Sequence, residues 1–501
     1  MRTEAAETLP PSLTGTPSRP RVSWGCLIAG ITGVATLGLF LAGGLTFWAW
    51  RASQEQVVEA ELARLRAEGR PTTLAELDGS YRLDPDRPDA TPAWQAVVDE
   101  VLATGFHREL RSRDLGGLLP RPRDALVALP DGDRAAILTG YVGIGRRLDE
   151  ACRAGSNVRW PIDYTVGVHD VALRYDEPIV AAQIYLGLRF TDALARGDVA
   201  AALTAVEQSL TLADVHATEP DFGGVQLRQQ AIIDAMDMTE EMLGEHDLTD
   251  AQLDGLGRRL GSIDFVPQLV QVLDGERATW LAEVAEGGPF LGSPSPDAVG
   301  PYRRLVAAYD RRLIVEFFRE NEKALAAADP SDRDIGLHVV RQVTEARAIA
   351  LDNPYIPPVV GWRPITAVAA GSRHTLGIET RLRLTRTAIA AVRFRDRTGR
   401  WPTSLTELAA DLPADALADP HGRLPLRSTT VEAVRALPAG PSTGDTSETT
   451  SDPTAAWPKR GLIIYSVGPD GVDDGGRPFS PTDSTDDVIL VLPDRPTGPT
   501  P

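Results

Sequence analysis

The chain has 501 residues, 43% of them hydrophobic and 24% charged, with a formal net charge of −19. That length suffices for two or three domains, and these ordinary globular proportions predict that most of it folds. So acidic a balance argues against nucleic acid as a partner, because phosphates need a basic surface, and it disfavours an anionic membrane surface as the partner of the large domain.

Residues 1–23 read as a short disordered tail on the cytoplasmic side. Trp24 to Trp50 contains no charged residue. As a helix it would run roughly 40 Å, against about 30 Å of bilayer hydrocarbon. Trp24 at one end and Phe47, Trp48 and Trp50 at the other suit the two interfacial aromatic belts. A cleaved signal peptide competes with this reading, but its apolar core should be about 7–15 residues with a small-residue cleavage site. The bulky exit Trp48-Ala49-Trp50-Arg51 fits that poorly. Arg19 and Arg21 precede the span while Arg51, Arg64 and Arg66 follow it, so the basic flanks nearly tie. Gly25, Ala29 and Gly33 form a small-residue stripe through which two spans can pair as a homodimer, or which reflects only the tolerance of membrane helices for glycine.

Beyond the span, Gln54 to about Gly69 predicts a helix leaving the membrane. Thr73 and Glu76 form a capping box that starts the next one. Helical periods then dominate to about Asp352, with breaks at Gly197-Asp198, Glu219-Pro220, Gly287 to Pro301 and Ala328 to Ser331. Leu186 to Leu212 is the clearest unit, a helical hairpin turning at Arg196-Gly197-Asp198. It is somewhat like a tetratricopeptide unit, but no second copy follows near 34 residues. Asp234, Asp237, Glu240 and Glu241 share a helical face, which reads as solvated unless a second helix brings partners. His169-Asp170 and His246-Asp247 could be base and orienter pairs, yet neither has a partnered Ser or Cys in a recognisable motif. The seven histidines are scattered and give no zinc spacing. With cysteines only at Cys26 and Cys152, an internal disulfide is not expected. There is no phosphate-cradling glycine loop.

Thr366 to Arg397 predicts a long helix, with eight arginines between Arg373 and Arg400. Ser404 and Glu407 make a second capping box for a short helix. Asp419-Pro420-His421-Gly422-Arg423 reads as a turn, followed by a strand at Leu424 to Arg427. Residues 438–458 form a Ser/Thr/Pro/Gly insert with too little apolar content to fold. Strands at Leu462 to Tyr465 and Val488 to Leu492 flank a loop dense in glycine and aspartate. Carboxylates so crowded repel one another unless solvated or shared by a cation, which makes this loop the leading ligand-site candidate.

The order of these motifs resembles the globular head of the major pseudopilin of type II secretion. The resemblance rests on Gly399 to Leu408, Asp419 to Leu426, Tyr465 to Gly471, and Asp486-Asp487-Val488, and it covers about the last quarter of the chain. It implies a long helix on a small antiparallel sheet, with calcium held by Asp470 and by Asp486 or Asp487, and the Val467 carbonyl as a backbone ligand. Calcium takes six to eight oxygens and suits flexible carboxylate loops; the alternative is a metal-free turn in which aspartates favour the backbone angles. Asp473 and Asp474 are extra to the family pattern and read as solvated. The span lacks a prepilin cleavage signal and the glutamate that opens a pseudopilin helix, and about three hundred residues separate it from the head. The whole layout resembles single-span membrane proteins of planctomycete-type bacteria, which supplies an architecture and a location but no activity.

The expected protein is therefore mainly α: a transmembrane helix at 24–50, an irregular α-helical domain at 51–360, and an α+β module at 361–495. It is expected in a bacterial inner membrane as a single-pass protein with its bulk outside the cytoplasm. An interaction or scaffold role with structural calcium and no catalysis leads. The alternatives are an accessory of a secretion-like apparatus, docking on envelope or secretion proteins, and an enzyme with its site in the helical domain.

Overall fold

The computed structural model of the chain describes residues 24–113, 129–168, 175–286, 307–326, 362–421, 425–432, 460–468, 472–473, 475–476 and 488–494. The tail at 1–23 and the insert at 438–458 lie outside them. Two compact units make up the chain, Met1–Val57 and Val58–Pro501.

The first unit carries the N-terminal part of α1 (Trp24–Ala67). From Ile31 onward this is the one helix among the described residues long and apolar enough to cross a membrane. Its apolar side chains face outward, with Leu39 75% and Phe40 76% exposed. The hydroxyls within it are satisfied locally: Thr36 donates to the Thr32 carbonyl at 2.8 Å and Thr46 to the Ala42 carbonyl at 2.9 Å. A polar group in hydrocarbon has no water to bond, so such back-bonding suits the span.

The second unit is mostly helical. The chain forms α2 (Leu74–Ser80), α3 (Thr91–Thr104), α4 (Phe106–Ser112), α5 (Asp131–Gly140), α6 (Val142–Ala154) and α7 (Asp176–Ala195). It continues through α8 (Val199–Val215), α9 (Phe222–Glu245), α10 (Asp250–Gly261), α11 (Val266–Glu286), α12 (Ala307–Ala326) and α13 (Trp362–Thr398). The predicted hairpin is α7 and α8. Its turn closes as a Schellman motif: the Asp198 amide donates to the Ala193 carbonyl at 2.9 Å and the Gly197 amide to that of Leu194 at 2.8 Å. Gly197 takes φ of 70°, which only a residue without Cβ adopts freely. Asp198 then caps α8 by accepting from the Ala201 amide at 3.0 Å.

One expected capping box forms differently. Thr73 does cap α2, accepting from the Glu76 amide at 3.2 Å. The Glu76 carboxylate reaches one residue further back, taking both the amide and the hydroxyl of Thr72 at 2.7 Å. Two donors on one residue outcompete the single amide of Thr73. The box at Ser404 and Glu407 is present, but it opens a short 3-10 helix, Leu405–Leu408, and not an α-helix.

The sheet has strands β1 (Arg427–Thr430), β2 (Gly461–Ser466) and β3 (Val488–Pro493), in that order and antiparallel throughout. β1 starts later than the predicted Leu424 to Arg427. Pro425 has no N–H for a ladder and makes only an isolated bridge with Ala418, so regular pairing begins at Arg427 opposite Tyr465. Alternation sorts the sheet's two faces. Leu462, Ile464, Leu490 and Leu492 join a core with α7 to α10 and α13, whereas Ile463, Tyr465 and Val431 form a small cluster of their own. The helical region and the C-terminal module therefore share one hydrophobic core, through Ile378, Leu382 and Ile389 of α13 against Met242, Leu256 and Leu260. A second, aromatic-rich core lies among α2 to α7, and a third joins Val58, Leu62 and Leu65 to α11, α12 and the start of α13.

Candidate functional site

The strands that frame the acidic loop are tied down by a residue outside the loop. Asp419 is buried in the turn before β1. It accepts the Ser466 hydroxyl at 2.7 Å on Oδ1, the His421 amide at 2.9 Å on the same oxygen, and the Val467 amide at 2.9 Å on Oδ2. One carboxylate thus fixes the direction in which the chain leaves β2. Of the four expected metal ligands, Val467 lies here, buried, with its amide on Asp419. Asp470, Asp486 and Asp487 lie outside the described residues. Asp473, expected to be solvated, is exposed; it is also ion-paired with Arg427, and its Oδ1 accepts the Gly475 amide at 3.0 Å. Among the described residues, no group of three or more His, Cys, Asp or Glu is arranged to hold a metal.

The carboxylates on α9 have partners from a second helix, and those partners are cationic and hydroxylic. Arg381 of α13 pairs with Asp237 and, through Nε at 3.2 Å and Nη2 at 2.8 Å, with Glu240. Thr385 adds its hydroxyl to Glu240 at 2.8 Å. Asp237 and Glu240 of the acidic face therefore line the seam between two helices. Of the two histidine–aspartate pairs, His169-Asp170 lies outside the described residues. His246 caps the C-terminus of α9.

The most unusual chemistry sits where sequence reading found only a chain break. At the corner between α8 and α9, His216 and Glu219 are both 0% exposed, and His216 Nδ1 lies 2.7 Å from Glu219 Oε1. Glu219 Oε2 accepts the Tyr175 hydroxyl at 2.9 Å. Two residues on, Asp221 caps α9 by taking the Gly224 amide at 2.8 Å, and its other oxygen accepts the Tyr164 hydroxyl at 2.5 Å. Trp160 stacks flat on Tyr175, ring centres 4.5 Å apart, and His216 lies near-parallel to both. The corner is seated by close backbone approach: a Cβ on Gly275 of α11 would overlap the Pro220 carbonyl, and one on Gly224 would overlap Glu219.

Burial pushes the Glu219 carboxyl above its usual range, and the neighbouring Asp221 adds to this while His216 opposes it. Asp176, half-buried beside Tyr175, is taken up to about 7 by burial and then by the charge of Glu219. Glu276 of α11 is taken up to about 8 by burial, against the pull of the Trp280 N–H, which donates to it at 2.9 Å. Tyr164 and Tyr175 are raised by burial and by the carboxylates they bond, so both hydroxyls keep their protons. Two signals existed in the sequence: a His three residues before a Glu at a helix end, and Asp two residues further at the next N-cap. Neither discloses the tyrosines, which come from distant segments.

His216 and Glu219 have the form of a base and its orienter. The pair is closed off from solvent and its remaining oxygen is taken by a tyrosine, so the arrangement is a buried hydrogen-bonded chain of Tyr175, Glu219 and His216. No protein-family model, curated protein or solved structure matches this chain.

Proposed function

We propose that the protein is a membrane-anchored cell-envelope protein whose large unit serves as an interaction scaffold, with a calcium ion ordering its C-terminal loop. The observation that carries the calcium reading is the strand register. Ser466, which leads into the acidic loop, pairs with Val488, which follows Asp486 and Asp487 in the chain. The two ends of the loop are therefore held side by side, and Asp419 locks the exit at Val467. Asp470, Asp486, Asp487 and the Val467 carbonyl are all hard oxygen donors, the set calcium prefers. When bound, the ion would neutralise carboxylates that otherwise repel one another.

The anchor reading is supported by the exposed apolar stretch of α1 from Ile31 onward. Single-pass insertion in a bacterial inner membrane with the large unit outside the cytoplasm, and pairing of two copies through the Gly25, Ala29 and Gly33 stripe, belong to the same reading. So does docking on envelope or secretion proteins, with no nucleic acid and no catalysis. Calcium titration of the full chain in detergent tests the core of it. One ion should bind per chain, and Asp470→Ala and Asp486→Ala/Asp487→Ala should each lose it; no heat of binding at millimolar calcium would overturn the reading.

A further inference from the structure

We propose that the corner between α8 and α9 is a proton-operated latch: a proton kept on its crowded carboxyl groups, Glu219 and Asp176, holds residues 216–224 seated, and its loss releases them. The basis is geometric. Glu219 and Asp221, two residues apart, are both buried, and their hydrogen-bond donors are neutral: the Tyr175 and Tyr164 hydroxyls and the Gly224 amide. Among the described residues, neither carboxylate is bonded to an arginine or lysine, and His216 is the one basic side chain in contact with either. His216 is fully buried, its Nδ1 lies against Glu219 and its Nε2 has no hydrogen-bond partner.

Among the described residues, the groups facing the corner from its neighbours bring no cation bonded to these acids. The start of α7 contributes Tyr175, Asp176 and the exposed Glu177, and Asp176 Oδ1 is a buried oxygen without a partner. α11 contributes Glu276, another acid. From the segment after α6 come Tyr164 and Arg159; the guanidinium of Arg159 lies over the Tyr81 ring and bonds the Tyr81 carbonyl at 2.5 Å. Arg228, on α9, is turned to Gln268 Oε1 and the Asp264 carbonyl, both at 3.0 Å. Like charges in an apolar interior cannot all ionise, so one or more protons stay in the corner when it is seated. The carboxyls of Glu219 and Asp176 are raised by burial. A raised carboxyl contributes stability that is complete below its unfolded value and is lost as pH rises through its folded value. Release therefore lies on the alkaline side, with Asp176 losing its proton near pH 7.

Hydrogen exchange on the full chain in detergent, at pH 6 and pH 9 and expressed as protection factors, reads the latch directly. Amides of residues 216–224 should lose protection by about tenfold or more per proton released, while the α7–α8 turn keeps its own. Glu219→Gln, neutral at every pH, should flatten that loss. Asp176→Asn serves as the second variant, since its buried Oδ1 makes no bond that folding needs; it too should reduce the loss, and it alone decides if the first variant does not fold. Unchanged wild-type protection between the two pH values, or a loss as large in Asp176→Asn as in the wild type, would overturn the proposal.

Discussion

Asp419 accepts the amide of Val467 at 2.9 Å, so a carboxylate 48 residues upstream sets the path of the chain as it leaves the central strand. With the Ser466 hydroxyl and the His421 amide on its other oxygen, Asp419 satisfies three donors from a buried position. Asp419→Ala should leave all three without that acceptor and cost about 2–4 kcal/mol, on the scale of buried hydrogen bonds to a charged group. Asp419→Asn, which keeps one acceptor oxygen, should cost less. Urea unfolding of both variants beside the wild type checks the order; equal midpoints would contradict it.

Arg381 joins α13 to α9 by bonding both Asp237 and Glu240. Arg381→Ala should destabilise the unit by about 1–3 kcal/mol, because two part-buried carboxylates lose their shared cation. Arg381→Lys should recover only part of it, since an ammonium cannot reproduce the planar fork. Thermal melts in low and high salt read both effects.

Two glycines should respond oppositely to alanine. Gly275 faces the Pro220 carbonyl with no room for a Cβ, so Gly275→Ala should cost about 1–3 kcal/mol by overpacking. Gly79, inside α2 with open space around it, should tolerate alanine and gain about 0.5–1 kcal/mol of helix propensity. Chemical denaturation of the two single variants tests the contrast, and a neutral Gly275→Ala would mean that the corner is not tightly seated.

Glu276, which faces the same corner from α11, predicts a pH effect of its own on stability. Its folded carboxyl is raised to about 8 from 4.5, so its share of stability is complete below 4.5 and lost as pH rises toward 8. Glu276→Gln should therefore reduce the fall in melting temperature between pH 5 and pH 8 while leaving the values near pH 4.5 little changed. An unaltered slope would sink this assignment.

Local patterns in the chain were legible because they depend on neighbours in sequence. The uncharged run before Trp50, the Gly197-Asp198 turn, and the apolar strands at Leu462 and Val488 all follow from period, propensity and turn chemistry. What could not be read was pairing across the fold. Asp237 and Glu240 looked like a solvated face because Arg381 is 141 residues beyond Glu240. Glu219-Pro220 looked like a mere break because Tyr164 and Tyr175, which supply the reason for its acids, lie far back in the chain. β1 was placed three residues early because Leu424 to Arg427 has strand-like composition, while only the ladder reveals that Pro425 cannot take part.

The most direct test of the calcium-ordered loop is a thermal melt of the full chain in detergent, in calcium and in chelator, beside Asp470→Ala. Ligand at a hundred times its dissociation constant adds about 2.7 kcal/mol to the state that binds it. The account predicts a calcium-dependent rise in melting temperature that Asp470→Ala abolishes. Identical melts in millimolar calcium and in chelator would contradict it, and would reduce the loop between β2 and β3 to a turn.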